Sequence, residues 1–136
     1  MKNLSLFFLL FLVLPLLVTS CGEDEEDMIP VPMFTRADYL GSYSVVEVCP
    51  GGQDTYNSSL TAGATSNEII IANLFNLGDE VRATVNGDRL TIPMQLAPSW
   101  REFSGSGTLT DQELKLSFTV TGGSGSIDCT AVLTPQ

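Results

Sequence analysis

Three cysteines and no histidine set the terms of any chemistry this 136-residue chain can do. Without His there is no imidazole base for a Ser-His-Asp triad and no imidazole ligand for a metal. Cys49 and Cys129 form an even pair once Cys21, assigned to another role below, is set aside. In an exported chain such a pair reads as a disulfide, with two buried free thiols as the alternative. Two thiols without a third or a His make a poor ligand set, so no metal is expected. Asp79-Glu80 and Arg101-Glu102 fall at strand ends or loops and read as solvated groups rather than acid–base pairs. There is no Gly-x-Ser-x-Gly elbow and no Asp-x-Asp-x-Asp-Gly calcium loop. Asn57-Ser58-Ser59 fits the N-glycosylation pattern by chance. The expectation is a protein that is not an enzyme and has no cofactor. The aromatics near loops, Tyr56, Phe75 and Trp100, are the candidates for lining a binding site.

Those residues must be positioned by strands. From about Asp38 onward the chain is rich in Val, Ile, Thr, Tyr and Phe and is broken by Gly, Asn, Asp and Ser clusters. The expected strands are Leu40–Cys49, Gln53–Leu60, Asn67–Leu74, two hairpins within Val81–Leu96 and Phe103–Val120, and Ser126–Thr134. In the first hairpin Asn86-Gly87 is read as the two-residue turn. Val85 then faces Asp88, Ala83 faces Leu90 and Val81 faces Ile92. Pro93 cannot donate to a ladder, so a bulge or unpaired stretch is expected there. In the second hairpin Leu109 pairs with Leu114, Gly107 with Leu116 and Gly105 with Phe118, small opposite large. The alternative for Gly105-Ser106-Gly107 is a flexible loop. No helix follows it to aim an N-terminus at a phosphate. Ile69-Ile70-Ile71 is apolar on both faces and is expected to be covered on both. Thr35 and Asp38 suggest one capped helical turn. Asn76–Asp79 reads as a turn, and Gly122–Gly125 as a mobile loop.

The chain before residue 35 has a different character. Residues 1–20 carry one cation, Lys2, then an apolar run from Leu4 to Val18, the pattern of a secretory signal. The segment Leu17-Val18-Thr19-Ser20-Cys21-Gly22 resembles the bacterial lipobox. That resemblance implies cleavage before Cys21, diacylglycerol on its thiol and a further acyl chain, such as palmitate, on its amine. Several acyl chains anchor a protein firmly, since each buried methylene adds ~0.8 kcal/mol. Glu23, Asp24, Glu25, Glu26 and Asp27 repel one another and cannot enter a core, so they read as a solvated tether. They also resemble the export signal of Gram-negative surface lipoproteins, which implies display on the cell surface. A periplasm-facing lipoprotein is the alternative. Met28–Pro32 extends the tether. The domains are thus 1–20 signal peptide, 21–34 lipidated Cys and tether, and 35–136 β domain.

The chain holds 6 basic and 16 acidic side chains, a net charge of −10. Residues 28–136 hold 5 and 11, a net −6, so much of the acidity sits in the tether. Such a balance excludes nucleic acid as a partner. The β segments, in order, resemble small lipocalin-like domains of bacterial lipoproteins. The likeness is carried by Gly41-Ser42-Tyr43 after Tyr39-Leu40, by Asn73–Gly78, by Asn86-Gly87 followed by Leu90-Thr91-Ile92-Pro93, and by Gly105–Leu109. It covers about residues 35–134 and implies a small antiparallel up-and-down barrel of about eight strands. There Cys49 and Cys129, near the ends of the first and last strands, would lock the closure. A two-sheet β-sandwich is the alternative, but its Trp should follow soon after the first Cys. Two functions stay open. One is binding of a small apolar molecule or a glycan at the barrel mouth. The other is an accessory envelope protein acting through protein contacts, with no pocket.

Overall fold

The computed structural model describes residues 33–136. The signal segment, Cys21, the acidic run and most of the Pro-containing linker lie outside the described residues. One short helix, α1 (Arg36–Tyr39), precedes eight strands. They are β1 (Gly41–Cys49), β2 (Gly52–Ala62), β3 (Glu68–Ala72), β4 (Glu80–Asn86), β5 (Arg89–Leu96), β6 (Glu102–Leu109), β7 (Leu114–Gly122) and β8 (Gly125–Pro135). Each pairs antiparallel with the next, and β1 pairs with β8, giving a closed up-and-down barrel. Closure excludes the sandwich.

Side chains alternate in and out, as a pleated strand requires. Tyr43, Val45 and Glu47 point inward from β1, and Cys129, Ala131 and Leu133 from β8. The interior is filled. Ile69, Ile71, Val81, Ala83, Phe103, Leu114 and Leu133 have no accessible surface, so no water-sized void touches them. The outer Ile70 is only half-buried, so β3 is partly covered on its second face.

The second hairpin pairs as its sequence predicts: Leu109 with Leu114, Gly107 with Leu116, Gly105 with Phe118. Gly105 is obligatory by contact. A Cβ there would strike the Ser117 carbonyl oxygen and lie 2.7 Å from Phe118 Cα. The first hairpin differs. Val85 faces Leu90 and Asn86 faces Arg89, so Gly87-Asp88 is the turn rather than Asn86-Gly87. Gly87 takes φ +59°, a left-handed value that glycine adopts freely, and its carbonyl accepts the Tyr39 hydroxyl at 2.9 Å. The ladder interrupts at Pro93, where the β5–β6 register shifts between Ile92 and Gln95. The Gln95 amide patches the break: its oxygen accepts Arg82 N–H at 2.9 Å and its nitrogen donates to Arg82 O at 2.7 Å. The expected mobile loop at Gly122–Gly125 is instead a tight turn, with Gly122 paired to Gly125.

The barrel has two unlike ends. One is closed by α1, whose Asp38 carboxylate accepts Thr35 N–H at 2.6 Å and the Thr35 hydroxyl at 2.9 Å. Tyr39 is fully buried, and the Tyr43 hydroxyl donates to its carbonyl at 2.8 Å. Arg36 donates to Thr65 O at 2.6 Å, tying α1 to the β2–β3 loop. The other end, the mouth, carries the β1–β2 turn, the β3–β4 and β5–β6 loops and the β7–β8 turn.

Candidate functional site

Two strained loops build the mouth. In the β3–β4 loop Asn73, Phe75 and Asn76 take φ of +61°, +63° and +54°, and Gly78 takes +75°. Non-glycine residues hold such values only when their surroundings enforce them. Here Asn73 does much of the enforcing. Its Oδ1 accepts Gly78 N–H at 2.8 Å, its Nδ2 donates to Asn57 O at 2.9 Å, and its N–H donates to Asp79 O at 2.7 Å. Asn76 Nδ2 donates to Asp54 at 2.9 Å.

The β5–β6 loop turns between Ala97 and Arg101, with Ala97 N–H donating to Arg101 O at 2.8 Å. Trp100 sits in it at φ +62° and is 81% exposed. Asp79 joins the two loops. Its carboxylate accepts Ser99 N–H at 3.1 Å and also the Ser99 hydroxyl. At 5% exposure Asp79 is a buried tie, not the solvated group that its place at a strand end suggests. Arg101 is half-exposed, and its guanidinium lies 5.9 Å from the centroid of the Phe75 ring, within cation–π range.

Below the loops lies a buried polar pair that the sequence reading passed over. Glu47 points into the barrel at 4% exposure. Tyr56 donates its hydroxyl to Glu47 Oε2 at 2.5 Å and accepts Phe75 N–H at 3.0 Å. Burial raises the Glu47 carboxyl above its ordinary range, and nearby Asp54 adds to this, against the bonds from Tyr56 and Phe75 N–H. Burial also pushes the Tyr56 phenol up, helped by Glu47, so it stays protonated. The signal for Glu47 was its parity: it shares the inward face of β1 with Tyr43 and Val45. Glu47 Oε1 lies 3.5 Å from Cys49 Sγ. Cys49 and Cys129 stand at disulfide distance, their Cα atoms 4.4 Å apart, joining the mouth ends of β1 and β8. Glu47 and these two sulfurs form the one cluster of metal-ligand type among the described residues. Sulfurs bonded to each other offer no thiolate to a metal.

Of the three aromatics expected near a site, Phe75 and Trp100 border a hollow at the mouth and Tyr56 does not. Tyr56 is buried at 8% exposure, its hydroxyl spent on Glu47, and it supports the floor from beneath. Phe75 forms a ridge between two hollows. One, of about 370 Å³, lies between the Ser99–Arg101 loop and the Gly122–Gly125 turn. The other, of about 460 Å³, lies over Glu47, Gly51–Asp54 and Leu77. Ile127 borders both. The arrangement can hold a ligand at a shallow rim but offers it no entry to the packed interior.

No model of a known protein family matches the chain, and no curated protein matches it. A solved structure described as a redesigned beta barrel is similar, with a TM-score of 0.57 at 16% identity. The match covers 75% of this chain and 95% of that one. At that identity the likeness speaks for the barrel fold alone.

Proposed function

We propose that this chain is a lipid-anchored envelope lipoprotein whose lipocalin-like barrel binds a glycan at its mouth. The observation that carries the binding reading is Trp100. A large apolar side chain stands 81% exposed, on backbone held in a left-handed conformation, beside a hollow lined by Phe75 and Arg101. A fold keeps such strain where contact requires it. A glycan suits a shallow rim of aromatic faces and hydroxyls. A small apolar guest needs a deep dry pocket, and the interior is filled by side chains. A protein contact at the same rim is the second reading, favoured by the exposed indole, since Trp is enriched at interface centres.

The anchoring half of the proposal rests on Cys21 after the apolar segment and on the acids Glu23–Asp27. They favour the outer membrane and display at the cell surface, with a periplasm-facing orientation as the alternative. A tether joined at the α1 end would present the mouth away from the bilayer.

Titration of the isotope-labelled mature chain in detergent micelles with envelope glycans tests the binding. Resonance shifts are expected at the Trp100 indole N–H, Phe75 and Gly123. Shifts confined to the outer wall of β1 and β8 would overturn the mouth reading. Shifts at the rim produced only by envelope proteins would favour the second reading. For the anchor, Cys21→Ala is expected to lose acyl label and membrane attachment, and a variant that kept both would refute it.

A further inference from the structure

The hollow between the Ser99–Arg101 loop and the β7–β8 turn has a chemistry of its own, carried by Arg101. Among the described residues the other cations are placed away from the mouth or paired. Arg36 donates to Thr65 at the closed end, Arg89 lies 3.8 Å from Asp88, and Lys115 lies 3.0 Å from Glu113. Arg82 lies mid-barrel, outward on β4. Arg101 forms no ion pair within 4.0 Å and spends none of its side-chain N–H donors on a protein acceptor among the described residues. Yet it is not loose, because its guanidinium is laid over the Phe75 ring. Asp79, the buried acid of the neighbouring loop, is committed to Ser99, and no carboxylate among the described residues, that of Glu102 next in the chain included, lies within 4.0 Å of the guanidinium. A planar fork of donors, set over an aromatic ring and left unpaired at the lining of a hollow, matches a carboxylate bidentately.

The walls narrow the choice further. Trp100 offers a flat face to a ring. Ser99 and Ser124 offer hydroxyls, and Gly122 and Gly123 leave backbone bare for close approach. The volume of about 370 Å³ falls at the small end of ligand pockets, ~300–1,000 Å³.

Resting on the mouth as the binding face, we propose that this hollow selects a sugar bearing a carboxylate. Its acid group sits on Arg101 and its ring lies against Trp100. The whole chain holds one tryptophan, so its fluorescence reports on this site directly. The test titrates the mature chain in detergent micelles with glucuronate, glucose and glucose 6-sulfate, following emission. Glucuronate is expected to bind at least about tenfold more tightly than glucose, the worth of a charge-assisted pair. Arg101→Gln should remove that preference, so that glucuronate binds no more tightly than glucose, whereas Arg101→Lys, which keeps the charge, should retain part of it. Equal affinity for glucuronate and glucose would overturn the carboxylate assignment while leaving the mouth reading intact. Tighter binding of the sulfate ester would overturn it in favour of a tetrahedral anion. No emission change with any sugar, together with resonance shifts elsewhere, would overturn the mouth reading itself.

Discussion

Trp100 is held exposed at a cost to the backbone. An L-residue in the left-handed region loses ~1–2 kcal/mol relative to its favoured conformation, whereas glycine does not. Since the indole is exposed, Trp100→Gly should keep stability or raise it by up to about 1 kcal/mol, read by circular dichroism in urea. The same change should abolish ligand binding. A loss above about 1 kcal/mol would mean instead that the indole packs. Glu47 makes the opposite case, an ionisable group held in the interior. Its folded value is raised above the ordinary 4.5, so its contribution to stability is full below that pH and is lost as pH rises through the folded value. Stability should therefore decline as pH rises above 4.5, until the folded carboxyl has ionised. Glu47→Gln keeps an acceptor for Tyr56 and should flatten the decline, and an unchanged slope in urea titrations would assign it to other groups. At this scale the sequence was legible where exposure follows from local context. Pro98-Ser99 places Trp100 in a loop. Tyr56 was misread because its burial depends on a partner nine residues away across a turn. Asp79 was misread because its partner, Ser99, lies on another loop.

The hairpins show what alternation can and cannot decide. In β6–β7 the four-residue loop Thr110–Glu113 set the register by pairing Leu109 with Leu114, and the glycines then fell opposite Leu116 and Phe118, small against large. Gly105→Ala should destabilise by about 1–3 kcal/mol, since its methyl meets backbone of β7 that cannot swing away. Gly123→Ala, with open space around the added carbon, should stay within about 0.5 kcal/mol and serves as the control. If both cost the same in urea, crowding at β6 is not the reason for its glycines. In β4–β5 the true turn lies one residue further on. That shift changes every cross-strand partner by two positions and leaves every inward face as it was. Val81, Ala83, Val85, Leu90 and Ile92 face inward under either alignment, so their pattern could not distinguish the two. The information lay elsewhere, in a Tyr39 hydroxyl reaching Gly87 from α1. Likewise the break at Pro93 was legible, but its repair by the Gln95 side chain was not.

For the molecule as a whole, closure was the inference the chain order best supported. It carried the expectation that first and last strands meet, and Cys49 and Cys129 stand where they do. Their separation of 80 residues makes a bridge worth about 4–5 kcal/mol in the chain-entropy model. The double variant Cys49→Ser, Cys129→Ser should lose most of that in urea. The purified chain should weigh two hydrogens less than after reduction, and an unchanged mass on reduction would show two free thiols. Both ends of the barrel's chain leave from the closed end, on neighbouring strands, while the cysteines stand at the mouth. This makes the response to force depend on where the load is applied. Tension between residue 33 and Gln136 would peel β1 from β8 rung by rung, a weak zipper that halts at the bridge. Tension between residue 33 and a ligand gripped at the mouth would run along the strands instead. Many rungs would then have to shear together, and the barrel would resist as a stiff strut.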